Sequence, residues 1–144
     1  MAKNLWGNIT DKIPTRTPYA ILREQAAMLK DMTNGLLVGH IKRFGGANYE
    51  DFAIRLSIVA PALENYSYPV LVVSYQLEAL YPVIFKEPEK IECQSEEEFV
   101  QELEKILSSE KIQRVVAALL GQIQIESNVD EKAILDAYAV PTKK

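Results

Sequence analysis

The sequence predicts an α+β protein: an N-terminal helix, a four- or five-stranded antiparallel meander, and two C-terminal helices packed on one face of the sheet. Three observations carry this. Apolar residues recur at three- and four-residue steps near both ends, as on one face of a helix. The middle third contains short β-rich runs, one of which alternates cleanly. Those strands follow one another instead of interleaving with helices, which separates α+β from a parallel α/β sheet. A chain of 144 residues is one domain by size, read here as residues 1–125, with an extended arm at 1–16 and a tail or short helix at 126–144.

The arm has no sustained period, yet it holds Leu5, Trp6, Ile9 and Ile13. Because burying the lone tryptophan is worth several ordinary contacts, the arm is expected to pack on its own body or on a neighbour. Thr17-Pro18 opens the first helix: the hydroxyl caps, and proline suits the first turn, where its missing N–H would be unpaired anyway. Leu22, Gln25/Ala26, Leu29 and Met32/Thr33 continue it to about residue 33, with Ile21 and Met28 flanking the stripe. Asn34-Gly35 stops it with a left-handed cap.

"LLVGHIKRF" then reads as the first strand, with Leu37 and Ile41 on one face and Val38 and His40 on the other. "GGANYE" is a turn. The second strand is the clearest, since Phe52, Ile54, Leu56 and Ile58 alternate with Ala53, Arg55 and Ser57. Strands near 68–77 and 80–86 follow, joined by a short Glu78-Ala79 link. Proline cannot donate to a ladder, so Pro69 is expected at a strand start and Pro82 on an edge or bulge. "KIECQ" is a fifth strand or an extended lead-in.

In "SEEEFVQELEKILSSE", Ser95 and Glu98 have capping-box spacing, and Phe99, Leu103, Ile106 and Leu107 form the buried stripe. A helix over about 110–124 follows, continuous with its predecessor or broken at Ser108-Ser109. The last stretch is a short helix capped by Asn128, or a docking tail.

Charge narrows the function. The net charge is −4, but residues 1–60 carry eight Lys/Arg against five Asp/Glu, and residues 61–144 carry eight against fifteen. The only basic grouping is Lys42, Arg43 and Arg55, too little to displace counterions from a phosphate backbone, so nucleic acid is not an expected partner. No apolar run reaches the roughly 20 residues of a membrane helix. "MAKNLWGNITDKIP" lacks the apolar centre of a secretory signal. A cytoplasmic protein is expected.

Catalytic signatures are missing too. Cys93 is the single cysteine and His40 the single histidine, so an internal disulfide and a paired-histidine metal site are excluded. Cys93 lies among glutamates, which disfavour its thiolate. The Gly-Gly pair in "RFGGANYED" lacks phosphate-loop and dinucleotide spacing. Glu96, Glu97 and Glu98 have no calcium-loop frame. The sequence therefore predicts no catalytic residue, no cofactor and no metal.

The stretch "ENYSYPVLVVSYQLEALYPVIF" is apolar on both faces of both its strands. Its second face must then be covered by the Trp6 arm, by the C-terminal tail or by another chain. Aromatic enrichment is favoured in interface cores, so Trp6, Tyr66, Tyr68, Tyr75 and Tyr81 are the candidate partner-binding residues. The leading expectation is a non-enzymatic protein-binding module, adaptor-, chaperone- or immunity-like, that binds a protein partner or itself as a homo-oligomer. The alternative is a small-molecule-binding protein or enzyme with a pocket between the first helix and the sheet, using His40, Glu50, Arg55 and Tyr75.

The run "NLWGNI…IPTRTPYAILREQAAMLKDMTNGLLVG", with "IVAPALENYSYPVLVV", resembles a family of small uncharacterised bacterial proteins. The shared features are Leu5-Trp6-Gly7, the Thr17-Pro18 helix start and the Thr33-Asn34-Gly35 stop. The resemblance extends to about residue 120 and implies no activity.

Overall fold

The computed structural model describes residues 2–8, 16–45 and 51–138, with side chains up to residue 127. The expected α+β layout is present. Helix α1 (Pro18–Met32) leads into strands β1 (Val38–Gly45), β2 (Asp51–Ala60), β3 (Tyr66–Gln76), β4 (Val83–Glu87) and β5 (Ile91–Cys93), and helices α2 (Glu96–Leu107) and α3 (Glu110–Tyr138) follow. The five strands form one antiparallel sheet in sequence order, so "KIECQ" supplies a true edge strand.

Helix termini follow local chemistry. Thr17 Oγ1 accepts the Ala20 N–H at 3.1 Å, with Pro18 in the first turn. At the other end Asn34 and Gly35 adopt φ 53° and 82°, and the Gly35 N–H reaches Lys30 O at 2.8 Å. Side chains with a Cβ resist this conformation, which is why Asn-Gly ends the helix. Thr33 adds a tertiary lock. Its hydroxyl accepts the Leu37 N–H at 3.0 Å and lies 2.9 Å from Leu29 O, fixing the approach to β1.

Ser95 caps α2 through the Glu98 N–H at 3.2 Å. The reciprocal bond differs from a standard capping box, because the Glu98 carboxylate accepts from Gln94 N–H, one residue before the cap. The two serines separate α2 from α3. Ser108 Oγ donates to Glu104 O, and Ser109 Oγ accepts the Ile112 N–H that opens α3. Asn128 lies inside α3, so the last stretch is not a separate helix: the chain stays helical from Glu110 to Tyr138.

The ladders assign the faces, since directly paired residues point the same way. Ile41, Leu56 and Leu71 are successive partners, and with Ile54, Ile58, Val73, Val83 and Phe85 they build the core under the helices. Gly39 is on this face too. A Cβ there would stand 2.5 Å from Ala26 Cβ, so glycine is what lets α1 lie flat on β1. At the far side α2 is seated by Phe99 stacking on Phe85, centroids 5.4 Å apart.

Strand bounds depart from expectation at the prolines. β3 starts at Tyr66, so Pro69 lies inside it, beside an irregularity where β3 has one residue more than β2 between Leu56 and Ser57. β4 pairs only with Val72, Val73 and Ser74, so residues 66–71 have a ladder on one side, where a missing donor is tolerated. The β3–β4 connection is six residues, 77–82, not the two-residue Glu78-Ala79 link. It ends in a cis Tyr81–Pro82 bond ahead of β4.

Candidate functional site

The helix layer leaves part of the sheet open. α1 lies on β1, and α2 on β4 and β5. Between them runs a groove of about 740 Å³. Its floor is Leu56, Ile58 and Val70, one wall is Met28, Leu29 and Met32 of α1, and the other includes Val100 and Leu107 of α2 with Val116 of α3. Met28 and Met32 are 51% and 79% exposed, and Val100 is also exposed. These side chains form the lips, and the floor beneath them is buried.

Polar groups along the walls are mostly spent on the fold. Arg16 donates to Glu24 of α1 at 2.9 Å and stands 3.7 Å from Glu96 of α2, closing one end of the groove with its charge neutralised. Thr33 is committed to backbone, as is Ser108. Gln25, Gln113 and Glu104 complete the polar lining of the walls. A site that orients a metabolite uses a few convergent polar groups, and here the free ones are few and set around an apolar trough.

The sequence-predicted residues are not gathered in one place. Tyr66, Tyr68 and Tyr75 share the helix-covered face, being partners of Ala60, Ile58 and Phe52. Tyr75 is only 5% exposed and meets Phe52 edge-on at 5.7 Å. With Arg43 above both Phe52 and Tyr19, it fastens the start of α1 to the sheet and presents nothing to a partner. Burial pushes its phenol pKa upward against the opposing pull of Arg43. Tyr68 is half-buried against the core. Tyr66 is half exposed.

Tyr81 is partly buried, and its hydroxyl has no hydrogen-bond partner among the described residues. Burial raises its pKa, and nearby Glu96 and Cys93 reinforce the shift. Trp6 is 80% exposed, and residues 2–8 are exposed throughout, so the expected packing of the arm on its own body does not occur there. Ile9, Ile13 and Glu50 lie outside the described residues.

The polar set expected for a pocket also disperses. His40 and Arg55 are exposed on the opposite face of the sheet, where the Arg55 guanidinium covers the Phe44 ring at 5.4 Å. That face is thus roofed in part by its own long side chains. Cys93 is 1% exposed on β5, at the other edge of the sheet from His40 on β1, so the two cannot pair. Burial, then Glu102 and Glu98, raise its thiol pKa to about 11. Among the described residues no three His, Cys, Asp or Glu side chains gather as a metal-ligand set, and no helix is long and apolar enough to cross a membrane.

A pocket between the first helix and the sheet is the alternative that the sequence offers, and the groove occupies that place, but its second wall comes from α2 and α3 and its lining includes none of His40, Arg55 and Tyr75. Met28 reads as the flank of a buried stripe and Met32, with Thr33, as part of it, yet both methionines are exposed. Their exposure depends on the spacing of α1 and α2, which strand order sets and helical periodicity does not.

Together these features define an α+β protein with an open apolar groove on the helix side of its sheet. No family model matches the chain, and comparison with curated proteins and with solved structures likewise gives no match.

Proposed function

We propose that this chain is a non-enzymatic cytoplasmic binding module that holds an apolar segment of a protein partner in the groove between α1 and α2. The observation that carries the proposal is the pairing of exposed apolar lips, Met28, Met32 and Val100, with a buried apolar floor. Apolar residues concentrated around a concavity are the usual mark of an interaction site. Methionine at the lips adds adaptability, because its flexible thioether fits varied surfaces. The reading keeps the expected protein-binding role and moves its centre from the tyrosines to the groove, with exposed Tyr66 and Trp6 outside it.

A second reading is favoured by size: the groove falls within the roughly 300–1,000 Å³ of small-molecule sites, and its walls suit an apolar ligand. One experiment separates the two. The immobilised full chain is challenged with host lysate beside Met28→Asp and Val100→Asp variants, and the free protein is screened with apolar metabolites by thermal shift. A stoichiometric partner retained by the wild type and lost by both variants supports the module. No such partner, together with a stabilising small ligand that Met28→Asp abolishes, overturns it.

A further inference from the structure

We infer that the segment the groove takes is an amphipathic α-helix whose apolar stripe is flanked by lysine or arginine; this rests on the protein-binding reading above. Three observations converge on that chemistry.

The first is the lack of free backbone along β2; of the floor residues only Val70, on the stretch of β3 with a ladder on one side, has an open flank among the described residues, and that flank lies in the plane of the sheet. β2, which supplies Leu56 and Ile58, is hydrogen-bonded on both sides, to β1 and β3. An extended segment laid across it would bury N–H and C=O groups without partners, at substantial cost. A helix satisfies its own backbone and offers only side chains.

The second is the form of the walls. Lining residues of α1 run from Ile21 to Met32, about 16 Å at 1.5 Å per residue, or about three helical turns. Met28 and Met32 stand four residues apart on the lip, the spacing of the ridges that interdigitate when helices pack. A three-turn helix presents a stripe of the same length.

The third is charge. α2 carries five glutamates against Lys105. Glu97 and Glu104 flank Val100 three residues before and four residues after, on the same face of the helix. Arg16, the cation at the groove end, is already paired with Glu24 and Glu96. The lip thus reads acidic, apolar, acidic, and it suits basic side chains whose long stems cover the apolar rim while their heads meet carboxylates. A second copy of this chain is the poorer occupant. The end of α3, residues 124–138, holds Glu126, Asp130, Glu131 and Asp136 against Lys132, which would set like charge on like.

The test uses the full chain and three labelled 15-residue peptides, followed by fluorescence anisotropy at low and high salt. One carries leucines at helical spacing with lysine flanks, one has glutamate flanks, and one is the lysine peptide interrupted by two prolines. The lysine helix is expected to bind at least tenfold tighter than either comparator. Met32→Asp, at an exposed position that leaves the core intact, is expected to weaken it at least tenfold. A Glu97→Gln/Glu104→Gln double variant should weaken it three- to tenfold and flatten its salt dependence. Circular dichroism and melting confirm that each variant is folded.

Equal binding of the proline-interrupted peptide, or of the glutamate peptide, overturns the basic helix. So does binding that Met32→Asp leaves unchanged, since generic attraction to an acidic protein would then account for it. If the lysine helix fails to bind while the lysate partner is still lost on Met28→Asp, the helix is overturned and the protein-binding reading stands. If both fail, both fall.

Discussion

Lys42 and Arg55 stand directly opposite each other on β1 and β2, two exposed cations on the uncovered face of the sheet. Among the described residues no carboxylate pairs with either. Like charges in direct cross-strand register cost stability, and opposite charges gain roughly 0.2–1 kcal/mol. Arg55 offsets part of this by lying over Phe44.

Lys42→Glu should therefore stabilise the fold by about 0.5–1 kcal/mol, with the gain shrinking as salt screens the new pair. Urea denaturation at low and high ionic strength measures it. A destabilised variant would show that Lys42 has a role the sheet alone does not reveal.

Cys93 should be silent in the native state. Its pKa of about 11, against an ordinary 9.0, comes first from burial and then from Glu102 and Glu98. Because the native thiol keeps a proton that the unfolded thiol releases, this contribution to stability is complete below pH 9 and is lost as pH rises toward 11. The raised phenols of Tyr75 and Tyr81 act in the same direction, starting from 10.0. Cys93→Ala should flatten the first part of the alkaline decline in melting temperature. Alkylation at pH 8 should be slow when folded and fast in denaturant.

Tyr81→Phe should hold stability or raise it by up to about 1 kcal/mol, since it removes a buried hydroxyl with no partner among the described residues and keeps the ring. A melting temperature several degrees lower would mean that the hydroxyl bonds to something outside the described residues.

Gly39→Ala should cost about 1–3 kcal/mol, the usual penalty for overpacking. The added methyl would meet Ala26 at 2.5 Å, and α1 would have to lift from the sheet. Combining it with Ala26→Gly should recover little of the loss, because the new methyl would still stand 2.7 Å from the backbone Cα of residue 26 and a glycine inside α1 costs about 1 kcal/mol itself; a thermal melt of the double variant reports this.

The fold was legible where local chemistry decides it. Thr17-Pro18, Asn34-Gly35, Ser95 with Glu98, and the alternation over β2 each depend on neighbours a few residues away. Legibility failed where distant strands decide. Tyr75 reads as a candidate surface aromatic, yet its register with Phe52 puts it under α1. Val70 and Val72 suggest a two-sided apolar hairpin, whereas β3 is offset by one residue near Pro69, and Arg55 and Phe44 roof part of the other face. The groove is divided between the two: a pocket between the first helix and the sheet was an expected alternative, but its other wall depends on where different strands place α2 and α3.

Pro69 also bears on how the protein behaves in a crowd. Residues 66–71 of β3 form a stretch of sheet margin without a neighbour on one flank among the described residues, and Tyr66, Tyr68, Val70 and Leu71 give it the β-prone composition that templates chain-to-chain association. A proline in its centre brings no N–H and a rigid ring to that stretch, a common means of blunting an open edge. Pro69→Val would replace the ring with an N–H and a β-branched side chain, and its signature would be turbidity at high concentration, with little change in the melt of the dilute protein.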